Sequence, residues 1–167
     1  AFRIAWFKVH IPKAYYAAYF SIRAKAFDAE FMIFGKDRVK EKMAEILAQG
    51  NDAAPKDKDM YDDLEIVLEM YERGFKFLPI DLYKSDATKF KVEEEGLRPP
   101  LNSIAGMGSV AAESIYAAVH EIEPISSVDN LKKRAKIGNS ATDLLRKFGC
   151  LNGMQESDQV SFFDMIS

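Results

Sequence analysis

Residues 101–115 read Leu101-Asn102-Ser103-Ile104-Ala105-Gly106-Met107-Gly108-Ser109-Val110-Ala111-Ala112-Glu113-Ser114-Ile115. The glycines at positions 106 and 108 predict a tight turn between two short helices, because glycine adopts positive φ angles without a Cβ penalty. The bare backbone of such a turn also lets successive amides close on an anion. A helix starting near Ser109 would direct its unpaired N–H groups and the positive end of its dipole at the same point. The side chains predicted to pack beneath the turn are Leu101, Ile104, Met107 and Ile115, and Ala112 is predicted to let the two helices approach closely.

This pattern is typical of a helix-hairpin-helix, a motif that binds a nucleic-acid phosphate. The phosphate contacts are predicted for the residues around the turn: Ser103, Ile104, Ala105, Gly106, Met107, Gly108, Ser109, Val110 and Ala111. An ordinary helical hairpin with a glycine turn is the alternative that these positions alone leave open.

A second, weaker hairpin is predicted around Ile137, Gly138 and Asn139. Its turn holds a single glycine, so a purely structural partner to the first hairpin is an equal alternative. Residues 101–153 hold six basic and five acidic residues, and the basic ones lie in 132–147. Lys132, Lys133 and Lys136 are predicted to contact phosphate, and a solvated helix face is the alternative.

Composition restricts the class of protein. The 167 residues carry 23 basic and 26 acidic side chains, which argues against a broad electrostatic coat for DNA, so any contact must be local. The single cysteine, Cys150, excludes an internal disulfide and fits a reducing cytosol. No run approaches the roughly 20 apolar residues of a membrane span. We therefore expect a cytoplasmic location and no membrane partner. Because the chain opens at Ala1 without an initiator Met, we also expect a fragment of a larger protein.

Periodicity predicts a mainly α fold with a small β-hairpin. Helices are expected over residues 2–9, 13–24, 36–49, 60–73, 109–120, 128–136 and 141–148, with a polar loop over 50–59. Residues 75–80 alternate like an edge strand, and residues 89–98 read as a β-hairpin with Gly96 in its turn. Tyr15, Tyr19 and Ile22 recur at helical spacing and are expected in the core. The predicted domains are a helical segment (1–73), a tandem helix-hairpin-helix domain that binds duplex DNA (74–153) and a flexible tail (154–167).

The sequence offers no catalytic or metal-binding set. The acidic group Asp57, Asp59, Asp62 and Asp63 alternates with lysines and is read as a solvated turn. His10 and His120 lie far apart without a cysteine or carboxylate pattern around them, so they indicate neither a zinc site nor a triad. No catalytic residue, metal ligand or cofactor is predicted for this chain.

The tail ends in a short peptide with two aromatic anchors. It comprises Gln159, Val160, Ser161, Phe162 and Phe163. Aromatic rings that fill an apolar pocket, with a glutamine at its rim, make a docking element. The alternative is that both phenylalanines fold back onto the domain.

The chain resembles the C-terminal end of the PolC-type DNA polymerase III alpha subunit, a C-family replicative polymerase of low-GC Gram-positive bacteria. The resemblance rests on residues 14–24 (AYYAAYFSIRA), 77–85 (FLPIDLYKS), 97–101 (LRPPL), 144–151 (LLRKFGCL) and the terminal pentapeptide. It implies that residues 1–73 are the helical end of a fingers domain. It also implies that the pentapeptide is a sliding-clamp motif, in which Val160 and Phe162 stand where leucines are usual.

The resemblance implies a DNA-directed DNA polymerase, a nucleotidyltransferase that uses magnesium bound by palm-domain aspartates. No part of this sequence resembles that palm, so the chain itself is expected to be non-catalytic. Its implied partners are double-stranded DNA, the sliding clamp (β subunit) and the rest of the polymerase chain. The alternatives are a DNA-repair enzyme that carries the same hairpin, such as a glycosylase or nuclease, and a purely protein-binding helical module.

Overall fold

The structure is a computed structural model that describes residues 2–158. This part of the chain is mainly helical, as the periodicity predicts. Its helices are α1 (Phe2–His10), α2 (Pro12–Ile22), α3 (Ala29–Met32), α4 (Lys36–Gln49), α5 (Pro55–Glu72), α6 (Ser109–Val119), α7 (Val128–Ala135) and α8 (Asn139–Lys147). One antiparallel pair, β1 (Lys91–Val92) and β2 (Leu97–Arg98), forms the predicted β-hairpin. Short 3-10 turns occupy Gly50–Asp52 and Leu101–Ser103.

Helix α5 begins five residues before the predicted start, so the prediction of a loop was wrong for residues 55–59. Ala54 is extended and Pro55 takes the first helical position, where its missing N–H costs no hydrogen bond. The end of α5 was predicted correctly. Gly74 has a φ of +85°, and the N–H of Phe75 bonds back to the Met70 carbonyl at 3.2 Å.

Helix α2 buries a different face from the predicted one. Tyr16 and Phe20 are buried, whereas Tyr15 and Tyr19 are half-buried and Ile22 is 79% exposed. The prediction that the stripe through Ile22 forms the core was therefore wrong for its exposed end. Helical spacing shows which residues share a face, but α2 is apolar on both sides and spacing cannot choose between them.

Helix α1 is unusual because none of its nine residues is buried. The exposed fraction is 85% for Phe2 and 68% for Val9. Polar contacts hold its C-terminal end. The Lys8 ammonium donates to Glu69 Oε2 at 2.8 Å, and Arg73 donates to the Lys8 carbonyl at 2.9 Å.

The predicted strand at residues 75–80 does not form. A single parallel bridge joins Phe77 to Leu97, because Pro79 has no N–H to extend a ladder. The segment is instead held by its side chains, since the ring of Phe77 packs against an aromatic cluster. Gly96 allows the close approach: a Cβ there would lie 2.5 Å from the Lys76 carbonyl oxygen.

The last three helices pack on the rest of the chain through one continuous hydrophobic core that runs from Tyr16 to Leu151. Phe148, which follows α8, stacks on Phe34 with ring centroids 6.1 Å apart. Lys147 also bonds to Glu30 at 2.9 Å. The helices on both sides of residue 74 therefore share one core.

Candidate nucleic-acid interface

The first hairpin has the predicted apolar floor. Five side chains beneath the turn are buried, with exposed fractions between 0 and 5%: Leu101, Ile104, Met107, Ala112 and Ile115. The element before the turn is one 3-10 turn, Leu101–Ser103, rather than a full helix. This floor fixes the position of the turn relative to the start of α6.

The two glycines of the turn have different backbone conformations. Gly106 has a φ of +88°, as predicted, and so requires a residue without a Cβ. Gly108 has a φ of −67° and a ψ of 153°, an extended conformation that any residue adopts. The expectation of positive φ at both glycines was therefore wrong for Gly108. Among the described residues other than its two chain neighbours, none has an atom within 4 Å of the position that a Cβ on Gly108 would take, so this glycine leaves open space in front of α6.

The first turn of α6 presents unpaired amides. Within residues 2–158, the N–H groups of Gly108, Ser109, Val110 and Ala111 donate to no acceptor. Gly108, Ser109 and Val110 are exposed. Neighbouring N–H groups at the positive end of a helix form a cradle for an anion. This arrangement can hold a phosphate without any side chain.

Some of the predicted contact residues turn their side chains inward. Ser103 is buried, and its hydroxyl donates to the Pro100 carbonyl at 2.6 Å. Ile104 and Met107 belong to the floor, so only their backbone faces the turn. Ala105 is exposed.

A second hairpin repeats the first one 30 residues later. Lys136 takes a left-handed conformation, with φ 54° and ψ 42°, at the position equivalent to Gly106. Gly138 is extended and precedes α8, as Gly108 precedes α6. Within residues 2–158, the N–H groups of residues 138–141 likewise donate to no acceptor. The second hairpin was predicted to be weaker because its turn holds a single glycine. The sequence does not indicate that Lys136 adopts the positive φ that glycine usually provides.

Equivalent polar contacts cross the mouths of both hairpins. Asn102 Nδ2 donates to Ser109 Oγ at 3.4 Å, and Lys132 Nζ donates to Asn139 Oδ1 at 2.8 Å. Each contact links a residue before the turn to the first residue of the helix after it. The second hairpin thus carries a cation where the first carries a neutral amide.

The basic residues of this region divide into two groups. Arg134 pairs with Glu121 and also donates to the carbonyls of Ala118 and Pro124, so its role is structural. Arg146 and Lys147 pair with carboxylates as well. Lys133 and Lys136 are exposed and make no ion pair with any residue between 2 and 158. Together with Lys132 they are the positive charges free to meet an anion.

Among the described residues, no three His, Cys, Asp or Glu side chains come close enough to hold a metal ion. The acidic group at 57–63 lies on α5, and the prediction of a solvated turn was wrong. Asp63 is buried and accepts from the Ala26 N–H at 2.8 Å, and burial raises the pKa of its carboxyl. Burial also raises the pKa of the Cys150 thiol to about 12, so this cysteine is no nucleophile at neutral pH.

Two further sequence predictions concern regions beyond this interface. The candidate clamp-binding peptide, Gln159 to Phe163, lies outside the described residues. No helix in the described part of the chain is both long enough and apolar enough to cross a membrane.

Two turns with open amides, each followed by an α-helix and preceded by a 3-10 turn in the first case and by α7 in the second, are the arrangement of a helix-hairpin-helix domain. The chain belongs to the helix-hairpin-helix motif family, whose model matches residues 74–160. It is also similar, over 98% of its length, to proteins named DNA polymerase III PolC-type, which confirms the resemblance seen in the sequence. The identity is 48% with the protein of Clostridium perfringens, 45% with that of Caldanaerobacter subterraneus and 45% with that of Bacillus subtilis. The chain spans 11 to 12% of the length of these relatives.

Proposed function

We propose that this chain holds duplex DNA by its backbone within a replicative DNA polymerase and links that polymerase to its sliding clamp. The observation that carries the proposal is the row of unpaired amides at the start of α6, in front of the open space at Gly108. The family match and the PolC-type relatives support a DNA phosphate as the anion.

The proposed contact is blind to sequence. Backbone amides bond phosphate oxygens and reach no base edge, which suits a protein that must move along any DNA. The second hairpin would add a similar set of amides with Lys132, Lys133 and Lys136 around it. Because lysines act on phosphates by counterion release, their share of the affinity falls as salt rises.

Nucleotide transfer is proposed for the parent protein only. The relatives carry the name of a DNA polymerase, and we expect magnesium to serve that polymerase in the cytoplasm. The role proposed for this chain is to retain the product duplex.

The tail is proposed as the second attachment. Its peptide Gln159 to Phe163 would dock on the sliding clamp, and two linked attachments retain a protein better than either alone.

The DNA contact is tested by titrating a labelled duplex at low salt with Gly108→Val and with Ala117→Val as the matched control. Ala117 is exposed on the same helix, away from its first turn. We expect Gly108→Val to weaken binding about tenfold or more, since one charge-assisted hydrogen bond contributes about 1.5–3 kcal/mol. The control should bind like the native chain. If a folded Gly108→Val protein keeps the native affinity for duplex DNA, the hairpin is structural, and the alternative of a protein-binding helical module is favoured.

The clamp contact is tested by deleting residues 159–163. We expect the shortened chain to lose co-elution with a bacterial sliding clamp while it keeps its affinity for DNA. A complex that persists after the deletion would refute the assignment of this peptide.

A further inference from the structure

Helix α2 carries apolar side chains on two faces. Its inner face, with Tyr16 and Phe20, is buried in the core. Its outer face presents Ala14, Ala18 and Ile22 at intervals of four residues, and all three are exposed. A helix that is apolar on all sides is normally buried on all sides. The outer face of α2 therefore lacks a cover within the described part of the chain.

Helix α1 forms the second wall of a groove along this outer face. Ile4, Phe7 and Ile11 recur at intervals of three and four residues and line the groove opposite α2. The groove has a volume of about 620 Å³, and among the described residues that line it Arg23 alone is charged. Because its α2 wall runs from Ala14 to Ile22, eight residues of helix, the groove is about 12 Å long.

Polar contacts outside the groove fix the position of the α1 wall. The Lys8 ammonium binds Glu69 of α5, and the Tyr16 hydroxyl donates to the same carboxylate at 2.5 Å. Arg73 donates to the Tyr16 hydroxyl and to the Lys8 carbonyl, both at 2.9 Å. None of these residues lines the groove. The two walls are therefore joined through α5, and the groove is formed before anything binds in it.

The surface around the groove is positive. Residues 1–27 hold five lysines and arginines and no aspartate or glutamate. Arg3, Arg23 and Lys25 are exposed and form no ion pair with any described residue. A second copy of the chain that docked groove to groove would bring these like charges together, which is unfavourable. A partner with carboxylates beside its apolar side chains is complementary to this surface.

We propose that the groove between α1 and α2 is the docking site for an acidic, amphipathic α-helix from the rest of the polymerase chain. This inference rests on the proposed function, which places the chain within such a polymerase. The chain spans only 11 to 12% of its PolC-type relatives, so most of such a protein is available to supply the helix. Apolar side chains at i, i+4 and i+7 of that helix span about 10 Å, which matches the groove.

The first test compares hydrogen exchange in the 167-residue chain and in the full-length parent polymerase. In the shorter chain, α1 amides should exchange fast, because none of its residues is buried. In the parent, the docked helix should bury Ile4, Phe7 and Ile22, and exchange in α1 should be about 100-fold slower or more. Equal exchange in the two proteins would overturn the proposal.

The second test changes the apolar and the charged part of the groove separately, with Ile22→Glu and Arg23→Glu. Ile122→Glu is the matched control, since Ile22 and Ile122 are 79% and 103% exposed and Ile122 does not line the groove. In the 167-residue chain, all three variants should melt like the native protein, because each site is exposed.

In the parent, Ile22→Glu should accelerate exchange in α1 about tenfold or more, because it places a charge in the apolar contact. Arg23→Glu should accelerate it severalfold, roughly the effect of one exposed ion pair turned into a repulsion. Ile122→Glu should leave exchange in α1 unchanged. Full protection of α1 in a parent that carries Ile22→Glu would refute the groove as the docking site.

The third test identifies the occupant with a photo-crosslinking amino acid in place of Ile22 in the parent. We expect the crosslinked peptide to come from outside these 167 residues and to carry Asp or Glu beside apolar residues at i, i+4 and i+7. A crosslink to a second copy of the groove, or to a DNA strand, would overturn the proposed partner. The duplex titration with Gly108→Val tests the proposed function independently, because Gly108 does not line the groove.

Discussion

Replacing Gly108 with aspartate should make the protein more stable and its DNA binding weaker. Gly108 is the N-cap residue of α6, with an extended backbone and open space around its Cβ position, so aspartate fits without strain. Its carboxylate would accept from the N–H of Val110 or Ala111, which have no acceptor among the described residues. The same carboxylate would occupy the place where a phosphate must sit.

The two effects have opposite signs and can be estimated. An aspartate N-cap is better than glycine by a few tenths of a kcal/mol, and a negative charge at a helix start adds about 0.3–1 kcal/mol. The free energy of unfolding should therefore rise by about 0.5–1 kcal/mol. Loss of one amide–phosphate bond costs about 1.5–3 kcal/mol of binding, which corresponds to roughly 10- to 100-fold in affinity.

Thermal melts and fluorescence anisotropy with a labelled duplex at low salt measure both effects. Gly108→Asn caps the helix without adding charge. This variant separates the effect of a side chain that occupies the amides from the effect of repulsion between a carboxylate and the phosphate. Ser126→Asp adds the same charge at an exposed position outside both hairpins. A Gly108→Asp protein that melts higher yet binds DNA with native affinity would refute phosphate binding at the start of α6.

Three further outcomes follow from single residues. Gly106→Ala should lower the free energy of unfolding by about 1 kcal/mol in urea titrations, because the native φ of +88° disfavours a Cβ; an unchanged midpoint would contradict this. Cys150 should react with a thiol reagent at pH 8 at least 100-fold more slowly in the folded protein than in denaturant, since burial raises its pKa to about 12 and keeps it protonated. The hydrogen bonds from Arg98 lower the pKa of Glu93, so the folded pKa lies below the unfolded one. The stabilisation that Glu93 contributes above its unfolded pKa is then lost as the pH falls through its folded pKa. In thermal melts between pH 7 and pH 3, the melting temperature should therefore drop less for Glu93→Gln than for the native chain.

Local rules predicted the parts of this fold that depend on neighbours in the chain. Gly74 follows the end of α5 and Gly106 lies in the first turn, and both have a positive φ. A glycine in the sequence is a direct signal for such a position. Ser127, a residue type that favours the position before a helix, caps α7 by accepting from the Asn130 N–H at 3.0 Å. The apolar floor of the first hairpin was likewise predictable from spacing.

Features that depend on distant contacts were not predictable. Residues 75–80 alternate like a strand, but Pro79 and packing against the aromatic cluster leave only one bridge. The conformation of Lys136 was missed because lysine carries no signal for a left-handed backbone. A comparison of the chain with itself at an offset of 30 residues shows the repeat but not this conformation, since Ala135-Lys136-Ile137-Gly138 aligns with Ala105-Gly106-Met107-Gly108.

The exposed helix α1 determines which part of the chain unfolds first. Helices shorter than about 12–15 residues are marginal in water, and α1 buries no residue to compensate. It is held by the contacts of Lys8 with Glu69 and Arg73, so it should open locally at a far lower free energy than α4 and α5. Amide exchange in α1 would then report fraying rather than global stability. We expect the cooperative folding unit to start at Pro12, so a chain shortened to that point should keep both hairpins.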